Sequence, residues 1–252
     1  KNAVMLSQGG LSLYDRNYYF DTDERAIMIR KKFVEHMANM YQLSGYDEAK
    51  AKLAAENTMK IETALAKISR KREDTRDPLK NYNKLSFKKL EETAPNLNWA
   101  LFIQHMGLPK VDSVIIGQPE FVNALNSYLK SYPLEDWKNY LKFHLFSNLS
   151  EYLDDKTYQE SFNFYSKILS GVEEPKPRWK RVVEQTNGSL GELIGQVYVK
   201  EYLPEGTKEK LLEIGNAIRD VYAERIKNLD WMSPETKEKA LVKLNGIVMK
   251  VG

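Results

Sequence analysis

Apolar residues recur every three or four positions along most of the chain, the spacing that lines one face of a helix. From Asp23 to about Leu43 that stripe is Ala26, Ile29, Phe33, Met37, Met40 and Tyr41. Gly45 is a natural stop. A second helix, Tyr46 to about Ser69, is predicted to turn Ala49, Leu53, Asn57, Ile61, Ala64, Leu65 and Ile68 inward and to form a hairpin with the first. Ahead of them, Asn2 to Leu6 is short, apolar and β-tolerant, and Gln8-Gly9-Gly10-Leu11 supplies a turn.

The pattern breaks between Lys71 and Pro119. A charged run with Pro78 leads into short elements at Leu85–Leu90 and Trp99–Met106 and a strand at Val111–Ile116. Helical spacing resumes at Pro119–Tyr132, then at Leu134–Leu153 with Trp137, Leu141, His144, Leu145 and Leu149 as its stripe, then at Asp155–Leu169. Past the Gly171–Pro177 break, a helix from Trp179 is expected to be interrupted at Asn187-Gly188 and to continue over Leu190–Tyr202, where Gly191 and Gly195 would allow close packing. Thr207 is the expected cap of a helix with Leu211, Ile214, Ile218, Val221, Tyr222 and Ile226 inside, and Ser233-Pro234-Glu235 opens the last one. The fold class is mainly α, a multi-helix bundle-like lobe with a minor β component. No internal repeat at solenoid period is present.

With 252 residues, 42% of them hydrophobic, the chain buries roughly 70–75% of its unfolded surface, as one large domain or two small ones. Its +3 charge arises from 38 basic and 35 acidic residues that are intermixed, so nucleic acid is not an expected partner. No apolar run approaches the ~20 residues that span a bilayer, and no membrane contact by this segment is expected. Absence of cysteine rules out disulfides, thiol catalysis and cysteine-ligated zinc. Lys1 in place of an initiator Met, and a helical pattern running almost to Gly252, lead us to expect a piece of a larger protein.

Catalytic signatures are missing. A zinc protease of the HExxH kind needs two histidines one helical turn apart, whereas His36, His105 and His144 are widely separated and read as structural. Neither a phosphate-binding glycine loop nor a GxSxG elbow occurs. Glu91-Glu92 and Glu173-Glu174 read as solvated surface. The run Lys71–Pro78 alternates in sign and is either a solvated linker or an ion-pair network anchoring a loop. The clusters Tyr18-Tyr19-Phe20 and Phe162-Phe164-Tyr165 read as core before they read as a peptide-binding wall.

Four segments in register resemble the neprilysin and endothelin-converting-enzyme family of zinc metalloendopeptidases, in its amino-terminal portion. Gln8-Gly9-Gly10-Leu11-Ser12-Leu13-Tyr14-Asp15-Arg16-Asn17-Tyr18-Tyr19 is similar to the family's Q-x-x-L-x-L-P-x-R-D-Y-Y, with Tyr14 where proline is usual and Asn17 where aspartate is usual. Glu73-Asp74-Thr75-Arg76-Asp77-Pro78 with Tyr82-Asn83-Lys84 resembles E-D-x-x-D-P-x-x-x-Y-N-K. Trp179 and Arg181 match W-x-R, Asn187-Gly188 matches N-G, and Gly195–Val199 is similar to G-x-L-Y-V. Trp231-Met232 and Thr236-Lys237 resemble the family's L-x-W-M-x-x-x-T-K helix start.

The resemblance implies a two-lobed gluzincin-type enzyme in which this chain supplies most of a helical lobe closing over a catalytic one. Residues 1–71 and 119–252 would form that lobe, and 72–118 would be an excursion packing with the catalytic lobe. Zinc and the catalytic groups would lie outside this segment, which should bind no metal and be inactive alone. The implied partners are the catalytic lobe of the same chain and oligopeptide substrates. Arg16, Asp74, Asp77, Pro78, Tyr82, Trp179, Arg181, Asn187, Gly188 and Trp231 are the family-motif positions, expected to be structural or to touch the other lobe. Because vertebrate relatives are rich in cysteine, the resemblance also suggests an exported bacterial parent, periplasmic or at the cell surface. A non-catalytic helical module that binds a protein or peptide is the alternative. If Trp231 is a buried anchor, Trp231→Ala should cost ~3–5 kcal/mol.

Overall fold

The computed structural model describes residues 3–108 and 110–251; Asn2, the start of the expected first strand, lies outside them. Two compact units divide the chain, Lys1–Pro175 and Lys176–Gly252.

In the first unit, α1 (Glu24–Leu43) and α2 (Glu48–Ile68) form the expected hairpin. Each is capped by an aspartate, Asp23 accepting from Ala26 N and Asp47 from Lys50 N, contacts that contribute about 1 kcal/mol apiece. Gly45 makes the turn at φ +96°. The whole predicted stripe of α1 is buried. In α2 the expectation fails in the first half, because Ala49 and Leu53 face outward and the inner face is Ala51, Ala54, Ala55 and Thr58. Alanines let the α1 backbone approach, so the bulk between the two helices comes from Phe33, Met37 and Tyr41 of α1.

A three-stranded sheet of order β1-β3-β2 joins the chain's start to the 72–118 region. Strand β1 (Val4–Leu6) runs parallel to β3 (Ser113–Ile116), Val4 opposite Val114, and β2 (Asn83–Ser86) runs antiparallel to β3, Leu85 opposite Val114. Helices α3 (Phe87–Thr93) and α4 (Trp99–His105) complete this layer. Its core of Leu90, Ala94, Trp99, Val114, Ile116 and Val122 shares no residue with the two helical clusters.

Helices α5 (Pro119–Ser131) and α6 (Leu134–Asn148) then pack on α2. Of the expected α6 stripe, Trp137 is buried and His144 half-buried, but the three leucines are not. Leu141, Leu145 and Leu149 are exposed, and Trp137, Asn139, Tyr140 and Phe143 are buried. Large aromatics won the inner face because the space beside the alanine-lined α2 demands volume. Helix α7 (Asp155–Ser161) runs on into a π-helical stretch, Phe162–Ile168, that buries Phe162 and Phe164.

The second unit holds α8 (Arg178–Tyr202), α9 (Thr207–Asn228) and α10 (Pro234–Asn245), none of which buries a residue. Helix α8 passes through Asn187-Gly188 without interruption, and a side chain at Gly188, Gly191 or Gly195 would meet open space, so these glycines serve no close packing here. Gly206 at φ +77°, rather than Thr207, precedes α9 as its cap residue. Most of the expected inner face of α9 stays exposed, Ile214 and Ile218 at 53% each, while Ile226 is half-buried. Ser233 caps α10 as read, accepting from Thr236 N. Trp231 is 74% exposed, which removes the buried-anchor claim and the stability loss tied to it.

Candidate functional site

The glycine turn and the residues after it fold onto a single buried carboxylate. Glu62, on the inner face of α2, has no exposed surface. Its Oε2 accepts from Ser12 N at 3.1 Å and its Oε1 from Ser12 Oγ at 2.6 Å, and the Tyr19 hydroxyl donates to Oε2. His144 Nε2 of α6 lies 3.2 Å from Oε1. A buried carboxylate is costly unless its lone pairs are occupied, and here the motif turn occupies them. Tyr19 in turn accepts from Leu13 N at 3.2 Å. Burial first, then the Glu62 charge, drives the Tyr19 phenol far above its ordinary range. Burial also raises Tyr165, to about 12.

Arg16, the motif arginine, donates from Nε to the Ala66 carbonyl at 3.1 Å and sits over the Phe20 ring. Asp15 caps the short 3-10 turn Arg16–Tyr19 through Asn17 N, so asparagine at 17 leaves that turn closed. Gly10, at φ +84°, passes so near Tyr140 that an added Cβ would collide with its hydroxyl, which donates to Gly10 O at 2.8 Å. Only glycine suits such a place.

The charged run is ordered by turn hydrogen bonds more than by ion pairs. Asp77 Oδ1 accepts from Leu79 N at 2.9 Å and Lys80 N at 3.2 Å, and Asn81 Nδ2 donates to Thr75 O at 2.6 Å. Asp74, Pro78 and Tyr82 are exposed. In the second unit, Trp179 is 65% exposed and Asn187 and Gly188 face outward on α8, while Arg181 is half-buried. Arg16 thus belongs to the turn at Glu62, Asp77 and Arg181 are half-buried, and the other motif positions are exposed.

His36 is buried, with Nδ1 2.9 Å from Glu160 Oε1 and its ring stacked on Phe164 at 4.8 Å. His144 contacts Glu62, and His105 is exposed at the end of α4. Among the described residues no three His, Asp or Glu side chains gather as a metal cluster. Sequence reasoning missed Glu62 altogether. Beside His144 a 390 Å³ pocket opens, edged by Ser12, Ser147 and Tyr165.

The first unit is thus a mainly helical body with a small mixed sheet and a buried polar hub at Glu62. The chain belongs to peptidase family M13, whose amino-terminal model matches residues 1–252. It is 29% identical to an endothelin-converting enzyme homolog of Locusta migratoria over all of this chain and 36% of that protein. It is 26% identical to human endothelin-converting enzyme 1, again over all of this chain and 33% of the relative. Among solved structures it is similar to the zinc metalloprotease Zmp1 of Mycobacterium tuberculosis in complex with an inhibitor. That match has a TM-score of 0.88 at 27% identity and covers 96% of this chain and 37% of Zmp1. The chain thus spans about a third of the length of the relatives it matches. The resemblance read from its motifs holds.

Proposed function

We propose that this chain is the non-catalytic helical lobe of a zinc-dependent metalloendopeptidase that closes over an active site carried elsewhere in the same polypeptide. The observation that carries the reading is a family match along the entire chain, to relatives about three times as long. Surface character supports it. The family-motif positions Asp74, Pro78, Tyr82, Trp179 and Trp231 are exposed, as residues that touch another lobe would be when that lobe is absent. Residues 72–118, which supply most of a core completed by β1 and Val122, are the part we assign to packing with the catalytic lobe, and 1–71 and 119–252 are the part we assign to the covering lobe.

In this reading zinc is held outside the chain. A roofed chamber excludes folded proteins, so substrates are restricted to short, flexible oligopeptides chosen by size and side-chain fit. The parent is exported, to the periplasm or cell surface of a bacterium; among the described residues no helix is long and apolar enough to cross a membrane.

Hydrolysis of a mixed peptide pool, with and without a zinc chelator, tests this on the chain and on the intact polypeptide side by side. Cleavage by the intact polypeptide alone, abolished by chelation, is expected. A second reading, a peptide-binding module, is favoured by the apolar 650 Å³ groove between α9 and α10, lined by Ile218, Tyr222, Ile226, Leu244 and Ile247. Peptide binding without cleavage by either form would decide for it.

A further inference from the structure

The helical body and the sheet layer have separate hydrophobic cores, yet the chain crosses between them three times: after β1 at Gln8, after α2 at Arg70, and between β3 and α5 at Gln118. All three crossings meet in one polar cluster. Gln8 pairs its side-chain amide with the backbone of Arg70, donating to Arg70 O at 3.0 Å and accepting from Arg70 N at 2.8 Å. Gln8 N donates to Gln118 Oε1 at 2.8 Å. The Arg70 guanidinium grips the Glu120 carboxylate with two bonds, from Nε and, at 3.0 Å, from Nη2. Asn81 Oδ1 accepts from Arg70 Nη1 at 3.3 Å and Gln118 Nε2 at 3.1 Å, tying in the loop that leads to β2.

We propose that this cluster is a clasp that makes the sheet layer and the helical body one rigid body. The ion pair alone is a weak tie, since the Arg70 side chain is 21% exposed and that of Glu120 is 50%, and water screens it. The arrangement is what gives it force. A two-pronged arginine–carboxylate contact and a reciprocal amide pair fix orientation as well as distance, and neither tolerates rotation of one layer against the other. Apolar contact cannot do this alone, because the clusters share no residue and meet along α5, where Phe121 faces one core and Val122 the other. The segment 72–118 then transmits motion between the body and whatever covers the layer's outer surface, instead of absorbing it. That last consequence rests on the lobe reading above.

Hydrogen exchange on the intact polypeptide tests the clasp. Arg70→Ala should speed exchange of the paired β1–β3 amides about tenfold and leave α1 amides unchanged, and the swap Arg70→Glu with Glu120→Arg should restore protection in part. Unchanged sheet exchange would overturn the proposal, and so would uniform acceleration across α1 and the sheet, since that reports lost global stability. Chelator-sensitive peptide cleavage by the same polypeptide is scored separately. Its complete absence would remove the peptidase reading and leave the exchange result to judge the clasp.

Discussion

Glu62 is a hub of the first unit, since one carboxylate accepts from the Ser12 backbone and two hydroxyls and lies 3.2 Å from His144 Nε2. Glu62→Ala strands those donors in a dry interior and should cost ~3–5 kcal/mol in denaturant melts, with Glu62→Gln intermediate. A loss below about 1 kcal/mol for the alanine variant would show that water replaces the carboxylate. Gly10 and Gly45 make a matched pair, both at positive φ, but only Gly10 has a neighbour in the way. Gly45→Ala should cost the backbone strain alone, ~1–2 kcal/mol. Gly10→Ala should cost more, and Tyr140→Phe should bring it back toward the Gly45 value. Equal losses at the two glycines would remove the steric role of Tyr140.

Among the helices, what periodicity revealed depended on how unequal the faces were. The α1 stripe was legible because Ile29, Phe33 and Met37 have no apolar rivals across the helix axis at comparable spacing. In α2 and α6 two apolar faces compete, and the winner is set by the neighbour: Ala51, Ala54 and Ala55 share a cluster with Phe143, and Tyr140 packs with Ile61 and Leu65. Nothing in the sequence marks that pairing. Glu62 was hidden for the same reason, since its partners Ser12, Tyr19 and His144 are distant along the chain and Glu62 itself resembles any helical glutamate. In α8 the Asn187-Gly188 signal is real but local, and 25 residues of helical continuity override it. Because Gly188 and Gly191 sit in open helix interior, replacing both by alanine should stabilise the isolated chain by up to ~2 kcal/mol. Thermal melts check the sign. A fall in stability would mean that Gly188 and Gly191 serve a close contact of α8.

At the scale of the whole molecule, pH acts on buried tyrosines. Tyr19, Tyr41, Tyr140 and Tyr165 all have phenols raised above the ordinary 10.0, burial being the largest cause in each. A group held protonated by folding gives stability that is complete below its unfolded value and is lost as pH climbs toward the folded one. The first unit should therefore weaken above pH 10, and these phenols should ionise together with loss of helical circular dichroism. Ionisation well before the helix signal falls would contradict their burial. At the acid end, Glu120 is held below its ordinary 4.5, chiefly by the hydrogen bond from Arg70. Its contribution is complete above 4.5 and disappears only as pH falls through the lower folded value, so mild acid leaves the Arg70 contact intact.

The wide winding at Phe162–Ile168 has a consequence for how the chain tolerates length change. Such a stretch is what an α-helix becomes when it takes in one surplus residue without shifting the segments on either side. It works as an expansion joint: removing a residue there would let the helix tighten to ordinary pitch while Asp155 and Leu169 hold their stations, whereas the same deletion in α1 would turn every later side chain away from its seat.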